Sequence, residues 1–423
     1  MSAFLVWRML VFPGVLFTAV LGLLAAWLDR KVSARFQFRV GPPLLQNFND
    51  FFKLLGKETI RIKSGVHWLF VAAPLAAFGL LSLVAAVIGT ALFYDLGSGA
   101  DLIVIMYLLM FYSVLVVLGG SSTGNVYSSL GAGREVKVLL ADELAFILVC
   151  LVPIIRSGYQ LKLTGILGHQ SEHGALLGSV SGVIAFLVGL LCVQAKMALP
   201  PFHIPEAETE LVGGPFMEYG GPLLAFWKLS QMMMYVVFPF LLILLFWGGF
   251  HLRGLGVLWF ALKYLEVRLA AGLGGRHPGR VGSLTMGWYN KRLAKSLWVF
   301  HVSASPCNNC DIEILDLLTP KYDVERFGIK LVGSVRQADV LLVSGIINRK
   351  VAPFIRHIYE QAPRPVFVVG IGSCPASGTC FKDSYNRAPR EEVIPIDVYV
   401  PGCPPKPEAM IDAIVKLVGV LNA

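Results

Sequence analysis

Cys307 and Cys310 in a C-x-x-C, Cys374 in GIGSCPASG and Cys403 in VPGCPP form the set of side chains best suited to chemistry in this chain. Thiolates are soft metal ligands, and four of them suit zinc or an iron–sulfur cluster. Zinc sites favour two paired C-x-x-C knuckles. Here one pair is joined by two distant single cysteines, a spread that a [4Fe–4S] cluster accepts. The spacing favours iron–sulfur and leaves structural zinc as the alternative. Gly372 and Gly402 let the backbone approach the ligands, where amides can donate to cluster sulfurs. Pro404 and Pro405 stiffen the last loop. Cys380 reads as a packing neighbour, and Cys150 and Cys192, inside apolar runs, as inert core residues.

A second set is acidic. The connection PPFHIPEAETELVGGPFMEYGG at 200–221 crowds Glu206, Glu208, Glu210 and Glu218, with no Lys or Arg between Lys196 and Lys228. Carboxylates at membrane depth are costly and mark proton or ion paths. Clustered in a poorly solvated place they cannot all ionise and titrate as a group. The competing reading is a solvated acidic loop neutralised by Arg30, Arg35 or Arg39. Glu143, beside Asp142, enters an apolar span with no basic residue following for more than a turn and joins the candidate path.

The elements that position these residues follow from composition. The chain has 423 residues, 56% hydrophobic and 15% charged, with mean hydropathy +0.67; soluble domains carry roughly a quarter charged residues. A bilayer core needs about 20 apolar residues per helix. Seven runs qualify: 4–28, 67–93, 102–119, 139–155, 178–199, 222–247 and 254–272. The first is too long for a signal peptide and ends in Asp29-Arg30-Lys31, so it reads as an anchored helix. An odd count puts the two ends on opposite faces. Lys and Arg concentrate in 29–66, in 120–138 and after 272, which places the cysteine domain in the cytoplasm and the N-terminus outside. The net charge of +9 is then loop bias and lipid-headgroup contact rather than nucleic-acid binding. Residues 44–57 (LLQNFNDFFKLLGK) read as an amphipathic helix on the membrane surface, or as a short helix packed on a partner.

Beyond the linker the pattern changes. LWVFHV at 297–302, DVLLVSG at 339–345 and PVFVVGI at 365–371 read as strands, and 310–319, 351–361 and 406–421 as helices. Alternation of this kind predicts a parallel sheet with helices on its faces, a soluble α/β domain of flavodoxin-like type. Cys307 and Cys374 fall just past strand ends, where such sheets gather ligands. The expected organisation is an α-helical polytopic membrane domain of about seven spans at 1–272, a basic linker at 273–296 and the α/β domain at 297–423.

These residues resemble two adjoining subunits of one machine. DRKVSARFQFRVGPPLLQNFNDFFKLLGKE at 29–58 and PFHIPEAETELVGGPFMEY at 201–219 resemble the first loop and the acidic loop of the quinone-chamber membrane subunit of complex I and of its counterpart in membrane-bound [NiFe] hydrogenases. WFALK at 259–263 and GRVGSLTMGWYNK at 279–291 resemble that subunit's penultimate span and the segment after it. SLWVFHVSASPCNNCDIEILDLL at 296–318 is similar to the small subunit of group 4, energy-converting [NiFe] hydrogenases.

The resemblance implies one [4Fe–4S] cluster on Cys307, Cys310, Cys374 and Cys403, no catalytic residue on this chain, and an acidic path through Glu143, Glu206, Glu208, Glu210 and Glu218. The C-x-x-C, in place of complex I's two adjacent cysteines, favours the hydrogenase branch. His203 and Lys196 depart from complex I's aspartate and glutamate, and the family's eighth span is missing before the fusion. The implied partners are a [NiFe] large subunit carrying the Ni–Fe centre, a ferredoxin-like iron–sulfur subunit, antiporter-like membrane subunits and the lipid bilayer of the cell membrane. The implied function is electron relay coupled to proton or sodium translocation. A complex I-like or sulfur-reducing complex, and a non-redox anchor with structural zinc, are the alternatives.

Overall fold

The computed structural model describes residues 10–12, 14–60, 62, 65–94, 101–248, 292–293, 295–388 and 393–422, without the side chains of 92–94, 208–209, 380 and 418–422. The seventh expected span and most of the linker lie outside the described residues. The chain divides into two compact units. One comprises Met1–Ala26, Arg61–Glu218 and Phe226–Ala270; the other comprises Trp27–Ile60, Tyr219–Ala225 and Ala271–Ala423.

The first unit is helical. Its elements are α1 (Val15–Phe36, which continues into the second unit), α3 (His67–Tyr94), α4 (Leu102–Ser121), α5 (Val126–Arg156), α6 (Leu163–His173), α7 (Val180–Lys196), the short α8 (Glu208–Leu211) and α9 (Gly221–Phe246), whose first residues belong to the second unit. Among the described residues, α3, α4, α5 and α9 are long and apolar enough to cross a membrane, and α7 is a shorter apolar helix. Tyr112, Phe146, Trp227 and Phe238 are buried between them. The edge-to-face pairs Tyr112–Trp227 and Phe146–Phe238, with centroids 6.1 and 6.4 Å apart, are of the kind that adds specificity to aromatic packing.

Helix bounds differ from the expected spans: α1 runs on to Phe36, past the expected end at 28. The span expected from 139 belongs to a helix that starts at Val126, because Asn125 caps it by accepting from Tyr127 N at 2.9 Å. Its polar first turns are covered by the connection 200–218. Ser128 Oγ lies 3.2 Å from the Pro215 carbonyl, and a Cβ on Gly131 would come within 2.7 Å of Gly214 Cα. Hydropathy cannot register such cover. In helix α6, buried Gln170 donates to the Leu245 carbonyl at 2.7 Å and ties it to the end of α9.

The second unit holds a five-stranded parallel sheet of β1 (Leu297–Ser305), β2 (Ile329–Leu331), β3 (Val340–Gly345), β4 (Phe367–Ile371) and β5 (Val398–Val400) in the order β2-β1-β3-β4-β5. This is the flavodoxin-like order, with its topological switch between β1 and β3. Helices α10 (Asn309–Asp316), α11 (Ala352–Gln361), α12 (Ser373–Ser377) and α13 (Pro407–Asn422) connect and follow the strands. β3 is buried along its whole length, as a strand covered on both faces must be. Val299, Leu342, Val369, Ile371, Ile314 and Met410 form the core with their neighbours.

Helix α2 (Gln46–Leu55) belongs to this unit and is turned opposite to a soluble helix. Gln46, Asn47, Asn49, Asp50 and Lys53 are buried, while Leu44, Leu45 and Leu55 are exposed. Its polar face packs inside its own chain. Its open apolar side is what a helix lying on lipid would present.

Candidate functional site

Three loops at the C-terminal ends of β1, β4 and β5 carry the four cysteines. Cys307 and Cys310 bracket the turn into α10, where Asn308 adopts a left-handed conformation (φ 71°). Cys310 is buried in the first turn, Cys307 and Cys403 are exposed, and Cys374 is half-buried in α12. The Cys374 and Cys403 loops are riveted together: Ser373 donates from N and Oγ to the Gly402 carbonyl at 2.8 and 3.0 Å, and Gly372 N donates to the Val400 carbonyl at 2.9 Å. Gly372 has φ +94°, and a Cβ there would stand 2.8 Å from Cys310 Sγ. Only glycine combines that conformation with that approach.

The four thiols act on one another. Burial, and then the neighbouring Cys374, Cys307 and Cys403, push the Cys310 thiol up to about 11. Thiols that resist joint ionisation need a cationic core to hold them as thiolates, and an iron–sulfur cluster supplies one. Among the described residues no three His, Cys, Asp or Glu side chains stand close enough to hold a single metal ion; ligands of a multi-iron cluster are spread around it. The donor set and the Gly372 cradle fit a [4Fe–4S] cluster. The side chain of Cys380 lies outside the described residues.

The expected acidic residues fall into separate places in the first unit. Glu143 Oε2 lies 2.7 Å from Lys196 Nζ, which also reaches Asp142 Oδ2 at 3.0 Å. Glu206 accepts from Gln231 Nε2 at 2.8 Å. Glu210 is exposed and pairs with Arg134 at 2.5 Å. Glu218 is buried and accepts from Asn125 Nδ2 at 2.7 Å. The side chain of Glu208 lies outside the described residues.

Glu135 and Tyr112, not singled out in the sequence, join Lys196, Glu206 and Gln231 around a cavity of about 20 Å³, room for a water molecule. A signal for Glu135 was present: it precedes Asp142 by two helical turns and shares its face. Arg30 and Arg39 pair with Asp50, Asp323 and Glu325 inside the second unit.

The second unit contains its own charged centre. Lys53 Nζ and Lys57 Nζ reach the two oxygens of Asp339 at 2.9 and 2.5 Å, with all three side chains fully buried. Trp298 N donates to the same carboxylate at 2.8 Å, and Lys57 donates to the Ala338 carbonyl at 2.6 Å. Lys53 also stands 4.0 Å over the Trp298 ring, a cation–π contact. Burial alone would raise the Asp339 carboxyl, but Lys53 and Lys57 outweigh it and hold it below the usual range. Lys53 is pushed down, first by burial. A simple pair would raise its lysine. Here Asp339 divides its charge between two ammonium groups and an amide, while each lysine bears its own desolvation. Beside this centre, Asp323 accepts from Val40 N and Gly41 N at 2.8 and 2.9 Å, and Asp50 accepts from Ser296 Oγ at 2.5 Å. The loop 27–60 is thereby built into the α/β domain.

Residues 8–271 match the family described as NADH dehydrogenase, well over half of the chain. The chain belongs to the NADH dehydrogenase family. Residues 307–417 match a second family, NADH ubiquinone oxidoreductase, 20 Kd subunit, so one polypeptide carries both components. Over 126 residues (30% of this chain, 75% of the relative) it is 51% identical to the probable membrane-bound hydrogenase subunit mbhJ of Pyrococcus furiosus. Over 131 residues it is 42% identical to the NAD(P)H-quinone oxidoreductase subunit K of Picosynechococcus sp., covering 30% of this chain and 53% of that relative. A solved structure of the membrane-bound sulfane sulfur reductase, an archaeal respiratory membrane complex, aligns with TM-score 0.54 at 24% identity over 63% of this chain and 88% of that one; that likeness speaks for the fold. Its relatives are oxidoreductase subunits, and with its apolar helices the chain is a membrane protein. The resemblance read in the sequence is thus met in both halves.

Proposed function

We propose that this chain is the fused membrane-anchoring and electron-relaying subunit of an energy-converting [NiFe] hydrogenase. The observation that carries the proposal is the convergence of Cys307, Cys310, Cys374 and Cys403 in a domain half-identical to a subunit named for a membrane-bound hydrogenase. The 20 kDa subunit family binds a [4Fe–4S] cluster. When bound, such a cluster carries one electron at a time. The four cysteines would hold it, Ser373 would fix the distance between the second and third ligand loops, and Gly372 would keep the approach to Cys310 open. Cys307 and Cys403, being exposed, mark the side facing a partner that carries the Ni–Fe centre.

In this reading residues 1–272 are the membrane part, 273–296 the basic linker and 297–423 the cluster domain, which faces the cytoplasm. A ferredoxin-like subunit supplies electrons, and antiporter-like subunits move protons or sodium. Glu143, Glu206, Glu208, Glu210 and Glu218 form the acidic side of that coupling. The test is hydrogen evolution by the natively purified complex with reduced viologen, with nickel and iron quantified on the same sample. Hydrogen and nickel stoichiometric with the chain support the proposal. Iron without nickel or hydrogen moves the chain to a quinone- or sulfur-reducing complex, and zinc without iron overturns the relay.

A further inference from the structure

The C-terminal half of β1 carries polar side chains on a face that a parallel sheet ordinarily keeps apolar. His301 and Ser303 alternate onto one face of β1, and Ser303 stands opposite Ser344 of β3 in the parallel ladder. All three meet one carboxylate, that of Asp311 in the first turn of α10, the residue after Cys310. Ser344 Oγ donates to Asp311 Oδ1 at 2.5 Å, His301 Nε2 lies 3.1 Å from the same oxygen, and Ser303 Oγ donates to Oδ2 at 3.3 Å. Ser344 is buried, and the side chains of His301 and Asp311 are 25% and 21% exposed. An acid in the first turn of a helix is commonly held there by the helix dipole alone. Here its partners are side chains of two strands, so its place is set from outside its own helix. Ser, His and Asp are also the residue types of a hydrolytic triad. Yet Asp311 meets the same ring nitrogen as Ser344, which lies 3.0 Å from it, and takes the serine hydroxyl itself; no base is left to activate a nucleophile. Among the described residues no lysine or arginine pairs with Asp311. Its charge is felt by the ligand set: burial pushes the Cys310 thiol up, then Cys374, Cys307 and Cys403, and Asp311 adds to them.

We propose that Asp311 is a fixed negative charge that lowers the reduction potential of the cluster held by the four cysteines, with Ser303, Ser344 and His301 as the positioning residues that hold its carboxylate. The inference rests on the cluster assigned to this chain above. Net charge, hydrogen bonds to the sulfurs and solvent exposure set where such a cluster titrates. An anion beside a ligand thiolate disfavours the incoming electron, and more so where water is partly excluded. The three donors keep the carboxylate from turning into bulk solvent, where salt would screen it. A relay held at low potential suits electron delivery to protons, since hydrogen formation near neutral pH needs a strong reductant. Asp311 neither ligates the cluster nor exchanges a proton; it acts through space on the energy of the added electron.

The experiment is a redox titration of the whole purified complex, read by low-temperature electron paramagnetic resonance of the signal that Cys374→Ala removes. It is run at about pH 9, above the ordinary histidine range, so that histidine charge does not enter. Asp311→Asn is expected to raise the reduced-to-oxidised ratio at a fixed ambient potential about tenfold, a shift of about 59 mV for one electron. Asp311→Glu, which keeps the charge, is expected to restore most of the original ratio. Ser344→Ala keeps the charge and removes its shortest bond, and is expected to shift the midpoint the same way by less. A merely structural carboxylate would lower the amount of cluster and leave the midpoint of the remainder unchanged, and that outcome in Asp311→Asn overturns the proposal. An unmoved midpoint in Ser344→Ala overturns the positioning role. If Asp311→Asn holds no cluster, Asp311→Ser decides, since its small neutral side chain still accepts a hydrogen bond; an unmoved midpoint there overturns the proposal. An unaltered complex with no reducible signal that Cys374→Ala removes would instead sink the relay reading itself.

Discussion

Two buried charge triads of opposite composition stand in the two units. In the first, one lysine serves two acids: Lys196 with Asp142 and Glu143. In the second, one acid serves two lysines: Asp339 with Lys53 and Lys57. The second is closed. Its side chains are fully buried, Asp339 is bonded through both oxygens, and backbone groups of Trp298 and Ala338 complete the shell. The first is more open: Lys196 Nζ reaches Asp142 and Glu143 at 3.0 and 2.7 Å, Glu143 is partly exposed, and a water-sized cavity lies alongside. Similar ingredients therefore give a lock in one place and a more open cluster beside a cavity in the other. What separates them is enclosure: the side chains of the second triad are fully buried, while Glu143 in the first keeps part of its surface exposed.

The largest expected effect is on the lock. Asp339→Ala leaves two ammonium groups buried without a counter-charge and should cost about 3–5 kcal/mol. Denaturant unfolding of the second unit, with protease cleavage of the 27–60 loop as a second readout, measures it. Replacing all three at once with apolar residues (Lys53→Met, Lys57→Met, Asp339→Leu) should recover most of that loss, because the buried charges then vanish together. If the triple variant is as unstable as the single one, the triad does more than fasten the loop.

A smaller effect is expected in acid. Asp339 is held below its ordinary value, so its contribution is fully present above about 3.9 and is lost as pH falls through the depressed folded value. Stability measured against pH should therefore show an acid limb that is shallower in Asp339→Asn. An identical limb would mean that other carboxylates dominate acid unfolding.

The smallest effect marks the edge of the first unit's network. Glu210→Gln breaks only the surface pair with Arg134 and should change stability by less than about 1 kcal/mol, while Glu143→Gln, next to Lys196, should disturb coupling. Equal coupling defects in the two variants would erase the distinction between a solvated carboxylate and a buried one.

Much of this was legible in the sequence. The parallel α/β domain follows from strands alternating with helices, and the ligand loops from cysteines just past strand ends. The short edge strand β2 was missed because three residues carry no periodicity. Lys53 and Lys57 were counted as loop charges facing the cytoplasm. Their burial is set by Asp339, 286 and 282 residues away, and no local pattern reveals such a partner. Lys196 stood out as a departure from complex I's glutamate, yet its partners on α5 emerge only once α5 and α7 pack together. Glu135 was hidden beside Arg134 and Lys137, which made its helical turn read as a connection.

The most direct test of the central claim is metal and sulfide analysis of the purified full chain with low-temperature electron paramagnetic resonance of the reduced sample. About four iron and four sulfide per chain, with a cluster signal abolished by Cys374→Ala and kept by Cys380→Ala, is the result expected. One zinc per chain without iron, or a signal that survives Cys374→Ala, would contradict it.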